Sequence, residues 1–184
     1  MSDPIRPSEL EIEDVVPVFV PNSFFAAGNW PGPFEHLGIE GLGLTWSVLQ
    51  PDQTMLYVNH TAASEWDSRA IAWRDRAIEN IQRRSVPDIM THAFRGDDGS
   101  LFAVAMMPPD GVGPSRLLLR ESLERLFPRG YLVALPDMSC GIVLSTQATA
   151  AERAKIEGVV HRCYAGATRP LVEGFHEPSM LDPR

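Results

Sequence analysis

Asp137, Ser139 and Cys140 place a carboxylate, a hydroxyl and a thiol in one short turn, and a polar turn beside a nucleophile is where acyl-transfer sites form. No G-x-S-x-G and no partner histidine accompanies them. Asp and Ser are also the residues with which a turn bonds its own backbone, and that reading is preferred. His60 ends one expected strand and His92 lies in another. Adjacent strands could bring their imidazoles together near Asp52 or Glu65 as part of a metal site, although two histidines without a ligand spacing assign no metal. His161 and Cys163 are two apart on an expected helix, about 200° around it, so they do not chelate one ion. Cys163 instead points inward with Ile156 and Val160 as a small hydrophobe. Arg74 falls in the middle of an apolar helical stripe, where it could serve a ligand or lay its stem on the core and send its guanidinium to water. Lys155, the sole lysine, sits among helix-surface residues. There is no Walker loop, no G-x-G-x-x-G and no H-E-x-x-H, and the glycines of GIEGLGL follow no expected strand. The ligand- or partner-binding candidates are thus Arg74, His60, His92, Asp137, Ser139 and Cys140, with no catalytic residue, metal or cofactor assigned.

The elements that must position these residues are clearest between Ser115 and Tyr164. The order there is helix (SRLLLRESLERLF), strand (YLVALP), turn (DMSC), strand (GIVLS) and helix (TAAERAKIEGVVHRCYA). Thr149-Ala150-Ala151-Glu152 is a capping box opening the last helix. Leu132 to Leu135 form an unbroken apolar run, which suits a strand covered on both faces. Upstream, LTWSVL and MLYVN flank the turn Gln50-Pro51-Asp52-Gln53, and IMTHAFR and SLFAVAMM flank Gly96-Asp97-Asp98-Gly99. A helix capped by Ser64 or Asp67 runs to about Arg84 with Trp66, Ala70, Trp73, Ala77, Ile78 and Ile81 on one side. A second helix, capped by Ser115, buries Leu119, Leu123, Leu126 and Phe127. The expected fold is α+β: a two-layer sandwich of mostly antiparallel sheet with helices packed on it, in ββα-ββα-ββα order over residues 44–184.

Residues 1–43 read as an acidic arm rich in proline, glycine and aromatics, mostly irregular and packed on the domain or on a second subunit. VVPVFV is at best an edge strand, because proline removes a ladder donor. This arm holds seven acids against Arg6, a charge of −6 of the chain's −8, leaving −2 for the rest. Such a balance argues against nucleic acid or an anionic membrane as partner. A hydrophobic fraction of 44% with 22% charged residues is ordinary globular composition. No apolar run approaches the roughly 20 residues of a membrane span, the first residues are acidic where a signal peptide is basic, and Cys140 and Cys163 have no C-x-x-C spacing. A cytoplasmic protein with free thiols is expected.

Three places resemble a bacterial family of unknown function typified by YtpQ. Trp66 followed by Arg76-Ala77-Ile78-Glu79-Asn80-Ile81 is similar to that family's A-x-x-N-L helix, Ser115-Arg116-Leu117-Leu118 to its A-S-R-L-L segment, and Tyr131 to Pro136 to the strand entering its P-N-R-D turn. Here Asp137-Met138-Ser139 replaces Asn-Arg-Asp. The resemblance implies a shared fold over about residues 44–175 and no activity. With no catalytic motif legible, the expected function is a non-enzymatic protein-interaction module that uses the arm or a sheet face to bind a partner protein or itself. The alternative is a small-molecule-binding or metal-dependent enzyme with a pocket between sheet and helices.

Overall fold

The strands divide into two four-stranded antiparallel sheets rather than one shared layer. The computed structural model describes residues 11–26, 28, 30–50, 54–85 and 91–183. The turn residues Pro51, Asp52 and Gln53, and Ile89 and Met90 of an expected strand, lie outside them. The first sheet holds β1 (Val15–Pro21), β2 (Phe34–His36), β3 (Leu42–Leu49) and β4 (Met55–Tyr57), with a one-turn α1 (Ser23–Ala26) after β1. Helices α2 (His60–Ser68) and α3 (Trp73–Arg84) follow. The second sheet, in the order β5-β6-β8-β7, comprises β5 (His92–Arg95), β6 (Leu101–Met106), β7 (Tyr131–Asp137) and β8 (Cys140–Ser145). A 3-10 segment (Gly113–Leu118) and α4 (Arg120–Leu126) lie between β6 and β7, and α5 (Ala150–Ala165) follows β8. The class is α+β, as expected. The plain ββα order is altered by β1 and β2 at its front.

The expected arm boundary at 43/44 falls inside β3. VVPVFV is a strand with one partner, but it is core and not covering: β1 pairs with β3 from Val15↔Val48 to Pro21↔Leu42, and Val15, Val16, Val18, Phe19 and Val20 are buried. The proline is tolerated for a readable reason. Trp46 O accepts from Val58 N (2.9 Å) on the far side of β3, so the opposed pair Pro17↔Trp46 exchanges no hydrogen bond. Pro17 therefore turns its nitrogen away from the ladder and needs no donor there. Its carbonyl, facing outward too, accepts from the buried Ser115 hydroxyl (2.5 Å).

That serine was expected to cap a helix over 115–127. The structure instead has the 3-10 segment and then the short α4, with Leu119 (φ −81°, ψ 63°) between them outside helical geometry. Gly113 lies so close to the sheet that a Cβ there would be 2.2 Å from Met106 O and 2.4 Å from Ser139 O. The segment thereby wedges against β8 while Ser115 holds β1.

The helix expected through Arg84 is likewise two helices. Asn59, not Ser64 or Asp67, caps α2 by accepting from Ala62 N (2.8 Å). The break comes at Ala70, whose φ of +53° is the only left-handed non-glycine value among the described residues. The gain is that Trp73 turns inward to meet Trp46 and Trp66, with ring centroids 5.1 and 5.6 Å away. Alanine in this conformation is strained by roughly 1–2 kcal/mol. Ala70→Gly is expected to raise unfolding stability by about 0.5–1 kcal/mol after glycine's extra chain entropy, read from urea midpoints at constant m-value.

The second sheet is covered on both faces, which accounts for the unbroken run in β7. Val104, Met106, Val133, Leu135 and Val143 join the large core shared with the first sheet. Ala103, Ala105, Ala134, Ile142 and Leu144 face Ile156 and Val160 of α5. The capping box of α5 forms as expected, Thr149 N donating to Glu152 Oε2 (2.8 Å) and Glu152 N to Thr149 Oγ1 (3.3 Å). Residues 169–176 run along the outer edge of β7, where His176 N donates to Val133 O (2.8 Å) and Met138 N to Arg169 O (3.1 Å). Burial there lowers the pKa of the His176 ring. Among the described residues no helix is long and apolar enough to cross a membrane.

Candidate functional site

Asp137, Ser139 and Cys140 do come together, at the β7–β8 turn. Ser139 donates through both its N–H (2.8 Å) and its hydroxyl to Asp137 Oδ1, while Asp137 Oδ2 accepts from Arg169 N (3.3 Å). The carboxylate is thus spent on the turn and on anchoring the following segment, as the preferred reading has it. The turn also borders an open cavity of about 370 Å³ lined by Met107, Arg162, Cys163, Thr168 and Arg169 beside the trio. Among the described residues no histidine lines it, so none of them serves the serine as an imidazole base. Cys140 is 3% exposed and lies beside Cys163; burial, then the neighbouring Cys163, pushes its pKa up to about 12. Cys163 was read as a core residue only. It lies at the cavity wall, and its link to Cys140 could not be found by spacing because it joins a strand to a helix.

The other candidates are separated. His60 opens α2 and not a strand, and His92 lies on β5 at the edge of the second sheet, so no pair of adjacent strands brings them together, and both residues are exposed. Asp52 lies outside the described residues, and Glu65 pairs with Arg69. Among the described residues no group of three or more His, Cys, Asp or Glu could hold a metal ion. Arg74 is engaged within the fold. Its guanidinium stacks 4.1 Å over Trp73 and 5.1 Å from the Trp46 ring centroid, and pairs with Glu35 and Asp67 at 3.6 Å each. It secures β2 to α3.

A second feature lies where the arm was expected. Of three exposed large hydrophobic residues among those described, two, Phe24 (41%) and Phe34 (39%), belong to one aromatic cluster joined through Phe25 and Trp30. Phe34 stacks on Phe25 (4.3 Å) and meets His36 (5.2 Å), Phe24 meets Trp30 (6.1 Å), and Trp30 meets Tyr57 (4.8 Å). Phe34 and His36 belong to β2, which pairs with β3 on one side only. Because Trp46 bonds towards the β4 and β2 side, Leu44 does too, so Glu35↔Leu44 is the hydrogen-bonded pair. The backbone N–H and C=O of Phe34 and His36 therefore point outward from the sheet. On the opposite face of β2 burial raises the Glu35 pKa, and Arg74 only partly offsets this. The aromatic spacing in the sequence signalled a docked segment; the open strand edge beside it depends on pairing parity, which no composition shows.

No family model, no curated protein and no solved structure matches this chain.

Proposed function

We propose that this protein is an interaction module that takes up an extended, basic segment of a partner protein along β2. The observation that carries this reading is the outward backbone of Phe34 and His36 beside the exposed aromatic face of Phe24 and Phe34. An added strand satisfies such groups through main-chain hydrogen bonds and draws specificity from alternate side chains. A second copy is the weaker occupant: isologous pairing of β2 sets Glu35 opposite its own copy between chains of net charge −8. A lysine or arginine in that place completes the partly compensated Glu35 carboxylate. Two free thiols favour the cytoplasm as the compartment. Kinship with the YtpQ-typified family is proposed on the same footing. It rests on the sequence resemblance around Asn80 and Ser115 alone, and it supplies no activity. The enzyme reading has in its favour only the cavity at the β7–β8 turn.

A fluorescein-labelled eight-residue peptide alternating Arg and Val tests this by polarisation. Saturable binding is expected, with a peptide alternating Glu and Val failing to compete. Phe34→Ser is expected to weaken it at least tenfold, about 1.4 kcal/mol. Equal binding by the variant, competition by the acidic peptide, or a wild-type dimer abolished by Phe34→Ser in sedimentation would each overturn the proposal.

A further inference from the structure

We propose that Cys140 and Cys163 are a redox-modification site, a dithiol that hydroperoxide converts to a disulfide joining β8 to α5. Both thiols are free, Cys163 packs against the buried cluster that holds Cys140, and both line the cavity at the β7–β8 turn. Their accessibilities differ: Cys140 is buried, whereas Cys163 is partly exposed. The guanidinium-bearing Arg162 and Arg169 line the same cavity, and Asp137, the one carboxylate there among the described residues, is engaged by Ser139 and by Arg169 N. A thiolate is the attacking species in such chemistry, and the accessible thiol of the pair is Cys163.

Cys163 attacks one peroxide oxygen as a thiolate, the O–O bond breaks, and the departing hydroxide takes the thiol proton to become water. The resulting sulfenic acid at Cys163 is then attacked by the Cys140 sulfur, the S–O bond breaks, and the second hydroxide leaves with the Cys140 proton. Two thiols and one peroxide give one disulfide and two waters. Burial keeps Cys140 protonated and shields it from solvent oxidant, which suits it to the second step and not the first. Cys163 packs against the same buried cluster as Cys140, Ile156 and Val160, so the two thiols meet where α5 lies on the sheet.

The test treats the folded chain with a small excess of hydrogen peroxide, followed by alkylation and intact mass. The expected product is about 2 Da lighter, carries no alkylated thiol, and gives a Cys140–Cys163 linked peptide on digestion. Cys163→Ser is expected to leave Cys140 reduced under the same dose, and Cys140→Ala to stop at Cys163 sulfenic acid, about 16 Da heavier and trapped by dimedone. Cys163 lies partly at the surface, so its variant keeps the test valid should Cys140→Ala fail to fold. Two alkylatable thiols after treatment of wild type, only intermolecular Cys163–Cys163 links, or oxidation of Cys140 in Cys163→Ser would overturn the proposal.

Discussion

Gly113→Ala is expected to abolish the cooperative fold, or to lower its stability by more than about 4 kcal/mol, out of the roughly 5–15 kcal/mol a domain possesses. The added methyl would sit 2.2 Å from Met106 O and 2.4 Å from Ser139 O, and both are backbone atoms, one at the end of β6 and the other in the tight turn that joins the paired strands β7 and β8. A side chain can rotate away from such a contact. A ladder cannot, so the 3-10 segment must lift off β8. Lifting it withdraws Ser115 from Pro17 O and leaves a buried carbonyl of β1 without a donor. Gly158→Ala is the internal control: it lies in mid-α5, where the new Cβ would meet only Arg162 Nη1 at 3.4 Å. There the gain in helix propensity is expected to stabilise by about 0.5–1 kcal/mol. Chemical denaturation of both variants checks the pair, and an unchanged midpoint for Gly113→Ala would show that the wedge does not seat as described.

Asp110→Ala is expected to destabilise by about 3–5 kcal/mol, because it strands a buried cation. The Arg116 side chain is 3% exposed and meets Asp110 in a forked pair, Nη2 to Oδ2 at 2.7 Å and Nη1 to Oδ1 at 3.2 Å. Its remaining acceptors are Val112 O (3.2 Å) and Arg84 O (3.5 Å), the latter at the limit of a useful bond. Since the cost is that of an unpaired charge and not of a lost attraction, Asp110→Ala with Arg116→Leu is expected to recover at least half of it. A loss under about 1 kcal/mol for Asp110→Ala would mean that the guanidinium reaches water.

These two predictions concern the part of the chain that sequence reading served least. Periodicity found α5 with its capping box, the β7–β8 hairpin and the two-sided burial of β7, because each is a local pattern of apolar spacing or capping chemistry. It merged α2 and α3 since alanine, unlike glycine, does not advertise a left-handed turn, and the Trp66 to Ile81 stripe runs on across the break. It made Ser115 a helix cap since a serine before leucines looks alike whether it caps a helix or reaches a strand nearly a hundred residues away. Pro17 in VVPVFV lowered its standing as a strand; whether a proline spoils a ladder depends on which side its nitrogen faces, and only the partner strand decides that. Of the site residues, Asp137, Ser139 and Cys140 were legible because they are contiguous. Cys163 and the β2 edge were not, because one is a contact between elements and the other a consequence of pairing register.

Amide hydrogen exchange resolved at Phe34 and His36, with and without the alternating Arg–Val peptide, tests the interaction surface most directly. Strand addition predicts that both amides slow at least tenfold on saturation while those of residues 137–140 and 162–169 keep their rates. Unchanged exchange at Phe34 and His36, or protection confined to the cavity beside the β7–β8 turn, would contradict it.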